Sequence, residues 1–437
     1  MPADGFAPIA GGLSPAAVSP RYAPHLHIEV SVTTTSTARP GRAEFTGMMS
    51  MVMASTALGI DLMLPAFGDI RAAFGLESES TAVAGIVTAY FVGLALGQIV
   101  WGPVADRFGR KPTLYVGLAV YMAGAAASAL SPSLAVLYAA RFVWGVGAAG
   151  PRVGAMAVVR DSFQGDLMAR AMSFIMAVFV LVPVIAPSLG VGILAVASWR
   201  WVFAFCVIYA AGVMLWLRRL PETLREEHRQ PLEFRRVFGA ATFVARNRQT
   251  LGYTLALTAL FGAFSSYLAS SELLISEVFD RGPVFPLVFG GLAVVMGAAQ
   301  LLNGAFVARV GVRRMVHGVM LVFVLWTAAM TVYSVASGGL PPFWPFVAGL
   351  ALVLAMYALM FPNMNTIALD PMGAVAGTAA AVTGFITFAA GASFGAILDR
   401  AMGETVTPLM TGFLGYGLAA VALVLWAERG ILFRPLR

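Results

Sequence analysis

Asp61 lies in the stretch GMMSMVMASTALGIDLMLPAFG (residues 47–68), where no other residue carries charge. Ionising a carboxylate in such apolar surroundings is costly, so the side chain belongs in a bundle interior or a wet cavity. Desolvation favours the neutral acid, and a neighbouring guanidinium favours the carboxylate. A group alternating between those surroundings could take and release a proton. It could equally serve as counter-charge to a cationic ligand or as one half of a static ion pair. Arg141 and Arg152 share the stretch LYAARFVWGVGAAGPRVGAMAVV (residues 137–159). On a helix their spacing amounts to about three turns and puts them on one face to within roughly 20°. Arg152 could meet an anionic or zwitterionic ligand, or snorkel to a lipid phosphate. Glu272, in SSYLASSELLIS (residues 265–276), is a second acid among apolar and small residues, either a functional partner of Asp61 or a wetted vestibule residue.

Other chemistries lack their residues. The histidines His25, His27, His228 and His317 are scattered over tail and loop settings, and Cys206 is the lone cysteine. That excludes an intrachain disulfide and leaves no zinc-type ligand spacing. No GxxxxGK[ST] loop is present to cradle a nucleotide phosphate. An enzyme is therefore not expected, nor any metal or cofactor.

The elements that must hold these residues are membrane spans. Of 437 residues, 59% are hydrophobic and 11% charged, and the mean hydropathy is +0.84. A soluble domain carries about 25% charged residues, so too little polar surface exists here to coat a water-soluble body. Twelve apolar runs alternate with short polar breaks, the first near residues 45–67 and the last near 408–428. The net charge of +7 does not point to nucleic acid, because the basic residues sit in the breaks. Arg107, Arg110, Lys111, Arg160, Arg170, the arginines of 218–248, Arg309, Arg313 and Arg314 fall on one side. Only Arg71, Arg200, Arg281 and Arg400 fall on the other. Positive-inside bias then makes both chain ends cytoplasmic.

The organisation expected is a disordered N-terminal tail (1–43), a six-helix bundle (44–217), a basic central loop (218–250), a second six-helix bundle (251–430) and a short tail (431–437). The loop reads as a helix on the membrane surface or a solvated linker. The halves echo one another: GPVADRFGRK (102–111) aligns with GAFVARVGVR (304–313), and Asp61-Leu-Met-Leu with Glu272-Leu-Leu-Ile. Two pseudo-symmetric six-helix bundles, an all-α membrane protein, are a transporter pattern with its site between the repeats.

Several longer stretches carry a resemblance. GIDLMLPAFGDI (59–70), GQIVWGPVADRFGRKPTL (97–114), RFVWGVGAAGPRVGAMAVVRD (141–161), VPVIAPSLGVGIL (182–194), WRWVF (199–203) and FPNMNTIALDPMGAVAGTAAA (361–381) resemble the major facilitator superfamily. More narrowly they resemble its drug-resistance transporters of the Bcr/CflA (bicyclomycin-resistance) type. The fifth-span motif departs from the usual Gly-Pro, reading Ala186-Pro187, and Trp144 stands where a Gln is usual. The resemblance implies a monomer in the bacterial inner membrane that exports small hydrophobic or amphipathic drugs in exchange for protons by alternating access. A proton-coupled transporter of a sugar, carboxylate or amino-acid derivative is the alternative. It implies adjacency of the first and fourth spans, hence an Asp61–Arg141 coupling pair with Glu272 as a second acidic site. The substrate cavity is expected to be apolar and aromatic, with Tyr90, Phe91, Trp144, Phe264 and Tyr267 as lining candidates and Arg152 towards its cytoplasmic end. The loop of Gly102, Asp106, Arg107, Gly109 and Arg110 is expected to act as a gating latch. In it Arg107 reaches Asp161, and Asp106 faces a helix N-terminus. Pro183, Pro187 and Gly190 are expected to bend the fifth span.

Overall fold

The computed structural model describes residues 40–230 and 234–433. The expected tail, with His25 and His27, lies outside the described residues up to residue 39, as do residues 434–437. Among the described residues there is no strand, and twelve helical stretches are long and apolar enough to cross a membrane.

The first bundle is built from α1 (Arg42–Asp61), the short α2 (Phe67–Ala73), α3 (Ala84–Phe108), α4 (Arg110–Ala129), α5 (Leu134–Ser162), α6 (Gly165–Leu194) and α7 (Arg200–Trp216). After an amphipathic helix, α8 (Phe234–Arg246), the second bundle comprises α9 (Arg248–Glu272), α10 (Phe285–Val310), α11 (Val312–Ala336), α12 (Phe343–Leu369), α13 (Ala376–Asp399) and α14 (Thr407–Ala427). The start of α1 and the end of α14 share one face of the bundle, here the terminal face; the opposite one is the far face.

Small residues let these helices touch backbone to backbone, the contact that drives packing where lipid replaces water. A Cβ on Gly93 would strike the Phe142 carbonyl, and one on Gly145 the Tyr90 carbonyl, so α3 and α5 fit only because both are glycine. In the second bundle Gly391 and Gly395 of α13 seat against Thr258, Phe261 and Gly262 of α9 in the same manner. The bundles meet along two seams, α3 on α13 and α6 on α10. Gly290 and Gly297 make the second seam by facing Val184 and Val180.

The internal repeat is visible in the turns. α3 passes to α4 at Gly109 (φ 110°) and α10 to α11 at Gly311 (φ 82°), both in backbone conformations that favour glycine. α1 ends as regular helix at Asp61, before a 3₁₀ turn at Leu64–Ala66 that carries Pro65. α9 ends at Glu272, before a π-helical turn over Leu273–Val278. The two aligned acids thus mark the same event, the end of the first regular helix of each bundle.

The central segment is not a solvated linker. α8 buries Ala240 and Val244 against Met372, Ala379 and Val382 at the terminal-face end of α13 and the turn before it.

Candidate functional site

A cavity of about 250 Å³ lies between the bundles, walled by α1, α3, α5 and α6 on one side and α9, α10, α12 and α13 on the other. Its middle is aromatic. Phe91 of the first bundle stacks on Phe388 of the second with ring centroids 6.3 Å apart. Phe261 stands edge-on to both, at 5.1 and 4.8 Å. Phe264 stacks on Tyr357 at 4.5 Å. Polar groups on the wall come from Thr56, Asp61, Arg152, Tyr267, Gln300 and Tyr357. Gln300, towards the terminal face, is exposed, whereas Tyr267 and Leu268 at the other end are buried. The cavity is therefore reached from the terminal face.

Asp61 is on this wall with 4% of its surface exposed. No hydrogen bond or ion pair joins it to any described residue, so the expected pair with Arg141 is not formed. The reason is local. The break after Asp61 leaves the Gly59 carbonyl without a helical partner, and the Arg141 Nη1 donates to it at 2.7 Å. Arg141 Nε also donates to the Ile86 carbonyl at 3.3 Å, and its guanidinium lies 4.5 Å from the Tyr90 ring centroid and 4.6 Å from that of Trp144. Arg141 is thus a fully buried strut at the C-terminal end of α1, where a cation also suits the helix dipole. Tyr90 and Trp144 belong to this strut and not to the cavity wall; the Tyr90 hydroxyl donates to the Thr56 carbonyl at 3.0 Å. Phe91, Arg152, Phe264 and Tyr267 do line the cavity.

Arg152 differs from the other deep arginines. Its guanidinium carbon lies 5.4 Å from the Phe388 ring centroid, and among the described residues no carboxylate, carbonyl or hydroxyl accepts a hydrogen bond from it. It lies nearer the terminal face than Asp61, and no ion pair connects the two.

At the far face a buried ion pair joins the two bundles. Arg71 of α2 donates through Nη2 to Glu272 of α9 at 2.8 Å and lies 3.3 Å from Glu277. Arg71 and Glu272 are respectively 2% and 6% exposed at the side chain. Glu272 is thus held by Arg71 and does not line the cavity.

At the terminal face the contacts expected of the latch loop are not the ones formed. Arg110, not Arg107, binds Asp161 (2.9 Å) and Asp106 (2.6 Å); Arg107 is exposed. The N-terminus of α4 is capped not by Asp106 but by Glu222, which accepts from the Arg110 and Lys111 backbone N–H groups at 2.9 and 3.1 Å. Gly109 leaves room for that carboxylate: a Cβ there would lie 2.5 Å from it. Gly102 has open space around it. These partners all lie in the first bundle and its trailing segment, so the cluster does not bridge to the second bundle. In the second bundle Glu428, after the last span, faces Arg313 at 3.5 Å and accepts from the Tyr253 hydroxyl at 2.9 Å, echoing Glu222. α6 runs unbroken through Pro183, which lines the cavity, and Pro187. Gly190 lets α6 approach the Leu62 carbonyl at the break in the first span.

Sequence reasoning missed several of these parts. Arg71 read only as a loop charge, because its partners lie 201 and 206 residues away. Asp399, the last residue of α13, is buried and accepts from Ser266 at 2.5 Å and Ser270 at 2.9 Å; the Ser266–Ser270 spacing on one helix face was the available signal.

Residues 48–396 match the Major Facilitator Superfamily profile. The chain is 29% identical over 369 residues to a bicyclomycin resistance protein homolog of Haemophilus influenzae, covering 83% of this chain and 90% of that protein. It is 24% identical over 341 residues to multidrug resistance protein D of Escherichia coli, covering 77% and 84%. Among solved structures, the human organic anion transporter MFSD10 superposes with a TM-score of 0.66 at 20% identity, covering 89% of this chain and 100% of that one. The E. coli xylose transporter XylE, partially occluded and inward open, superposes with a TM-score of 0.69 at 14% identity, covering 89% and 99%. With its twelve spans, its two bundles and the cavity between them, the chain is a multi-pass membrane protein that belongs to the Major Facilitator Superfamily, a family of transporters and not of enzymes.

Proposed function

We propose that the chain is a proton-driven exporter of small, largely apolar compounds, working by alternating access in a bacterial inner membrane with both chain ends in the cytoplasm. The observation that carries this reading is Asp61: a carboxylate that has no cation partner among the described residues, on the wall of an aromatic cavity between the bundles. An acid free of a fixed partner can exchange a proton with whichever side the cavity faces. The drug-resistance relatives support the direction of transport. In the proposed orientation the far face is external. The Arg71–Glu272 pair then holds the outside shut while the cavity is open to the cytoplasm, the state in which an exporter loads.

The driving force is sufficient. One charge crossing 100 mV contributes about 2.3 kcal/mol, and one pH unit about 1.4 kcal/mol. Together they sustain a gradient of roughly several hundred-fold per proton. Efflux of a fluorescent hydrophobic cation in everted vesicles tests the reading. Asp61→Asn is expected to reach the membrane in normal amount and to abolish uncoupler-sensitive transport. Undiminished transport by that variant removes Asp61 from the mechanism.

A further inference from the structure

The cavity presents one acid and one guanidinium that no described residue pairs. Arg71, Arg110 and Arg141 each have built-in acceptors: two glutamates, two aspartates and two backbone carbonyls. Among the described residues Arg152 has the Phe388 ring alone. Asp61, on the same wall system, has no partner either, and the two do not pair with each other. Between their levels lie the rings of Phe91, Phe261 and Phe388. Desolvating either charge is costly unless a counter-charge arrives. Without a cationic group in the cavity Asp61 holds a proton, and without an anionic one Arg152 stays uncompensated. A ligand with a cationic and an anionic group at opposite ends of a flat apolar body compensates the two at once.

We infer that the preferred substrates are aromatic zwitterions, with the ammonium group at Asp61 and the acidic group in the fork of Arg152. This rests on reading the cavity as the transport site, and it deepens that reading. The ammonium group and a proton then compete for Asp61, which supplies the exclusivity an antiporter needs, while Arg152 holds the other end and sets specificity. Guanidinium suits this task because its planar donors match a carboxylate two at a time. Arg152 comes from the first bundle and its ring contact, Phe388, from the second. Binding of an acid at Arg152 therefore acts at the seam that must move.

The probe is 4-(piperazin-1-yl)benzoic acid, compared with its methyl ester, its N-acetyl derivative and the doubly masked compound. Binding to the purified full-length transporter is read by competition, and transport in proteoliposomes under an imposed proton gradient. The zwitterion is expected to bind at least about tenfold more tightly than either singly masked compound, the scale of one charge-assisted hydrogen-bonded contact. Arg152→Gln should collapse the preference of acid over ester to about onefold, and Arg152→Lys should retain part of it. Asp61→Asn should collapse the preference of amine over N-acetyl. Equal binding of acid and ester by the unaltered protein overturns the inference, as does an Arg152→Gln variant that keeps the acid preference. Loss of co-purified phospholipid on Arg152→Gln, with the acid preference intact, assigns Arg152 to a lipid headgroup instead. Proton-driven transport of the doubly masked compound without any effect of charge defeats the zwitterion inference alone. Failure of all four compounds to move, with no proton-driven transport of the hydrophobic cation either, defeats the transport reading itself.

Discussion

Neighbouring arginines in one loop have opposite fates, and the difference is set by what each side chain reaches. Arg110 is 6% exposed at the side chain and holds Asp161 and Asp106, whereas Arg107 is exposed. Arg110→Ala removes the charge-assisted hydrogen bonds to Asp161 and Asp106 and should cost about 1–3 kcal/mol; Arg107→Ala should stay within about 0.5 kcal/mol, as surface changes do. Thermal unfolding of the two variants in detergent checks the order, and a larger loss for Arg107→Ala would contradict it. Gly109 is a backbone matter. Its φ of 110° and ψ of 162° lie in a region almost restricted to glycine, so Gly109→Ala should cost about 1–3 kcal/mol from strain alone, before crowding Glu222. A Gly311→Ala variant, with no atom near the new Cβ, separates strain from crowding: it should be the milder of the two.

Between helices the decisive contacts are backbone against backbone and one ion pair. Gly145→Ala drives a methyl group into the Tyr90 carbonyl, while Gly192→Ala meets nothing within 4 Å. The first should lower stability by about 1–3 kcal/mol through overpacking, and the second should leave the unfolding temperature unchanged. The Arg71–Glu272 pair belongs to the same scale because it joins α2 to α9. Removing one member of a buried pair leaves the other uncompensated, at about 3–5 kcal/mol, and opening the far face to water relieves that penalty. Arg71→Met, in a Cys206→Ala background with Leu268→Cys as reporter, should therefore raise maleimide labelling from the far face at least about tenfold. Unchanged labelling would mean that the pair does not hold the face shut.

For the molecule as a whole, the spans, their pairing into two bundles and the aromatic character of the cavity were legible in the sequence. Periodicity and charge placement act locally, and the repeat of 102–111 in 304–313 ties the halves together. The partners of the buried charges were not legible. Whether Asp61 meets Arg141 depends on which carbonyls a helix break sets free. Gly59 lost its helical partner to the turn at Leu64–Ala66, and Arg141 took its oxygen, leaving Asp61 alone on the cavity wall. Arg71 and Glu272 likewise meet only because α2 and α9 converge at the far face. Depth along a span could be counted; azimuth and the order of hydrogen-bond claims could not.

If Asp61 exchanges a proton for substrate, the proton itself must move, and its movement can be followed. Proteoliposomes enclosing a pH-sensitive dye, with no imposed gradient, are exposed to a steep substrate gradient, and the internal pH is followed. A substrate-dependent proton movement opposite in direction to the substrate is expected, and it should be absent in Asp61→Asn. Substrate movement without a proton signal in the unaltered protein, or an equal signal in Asp61→Asn, would contradict it.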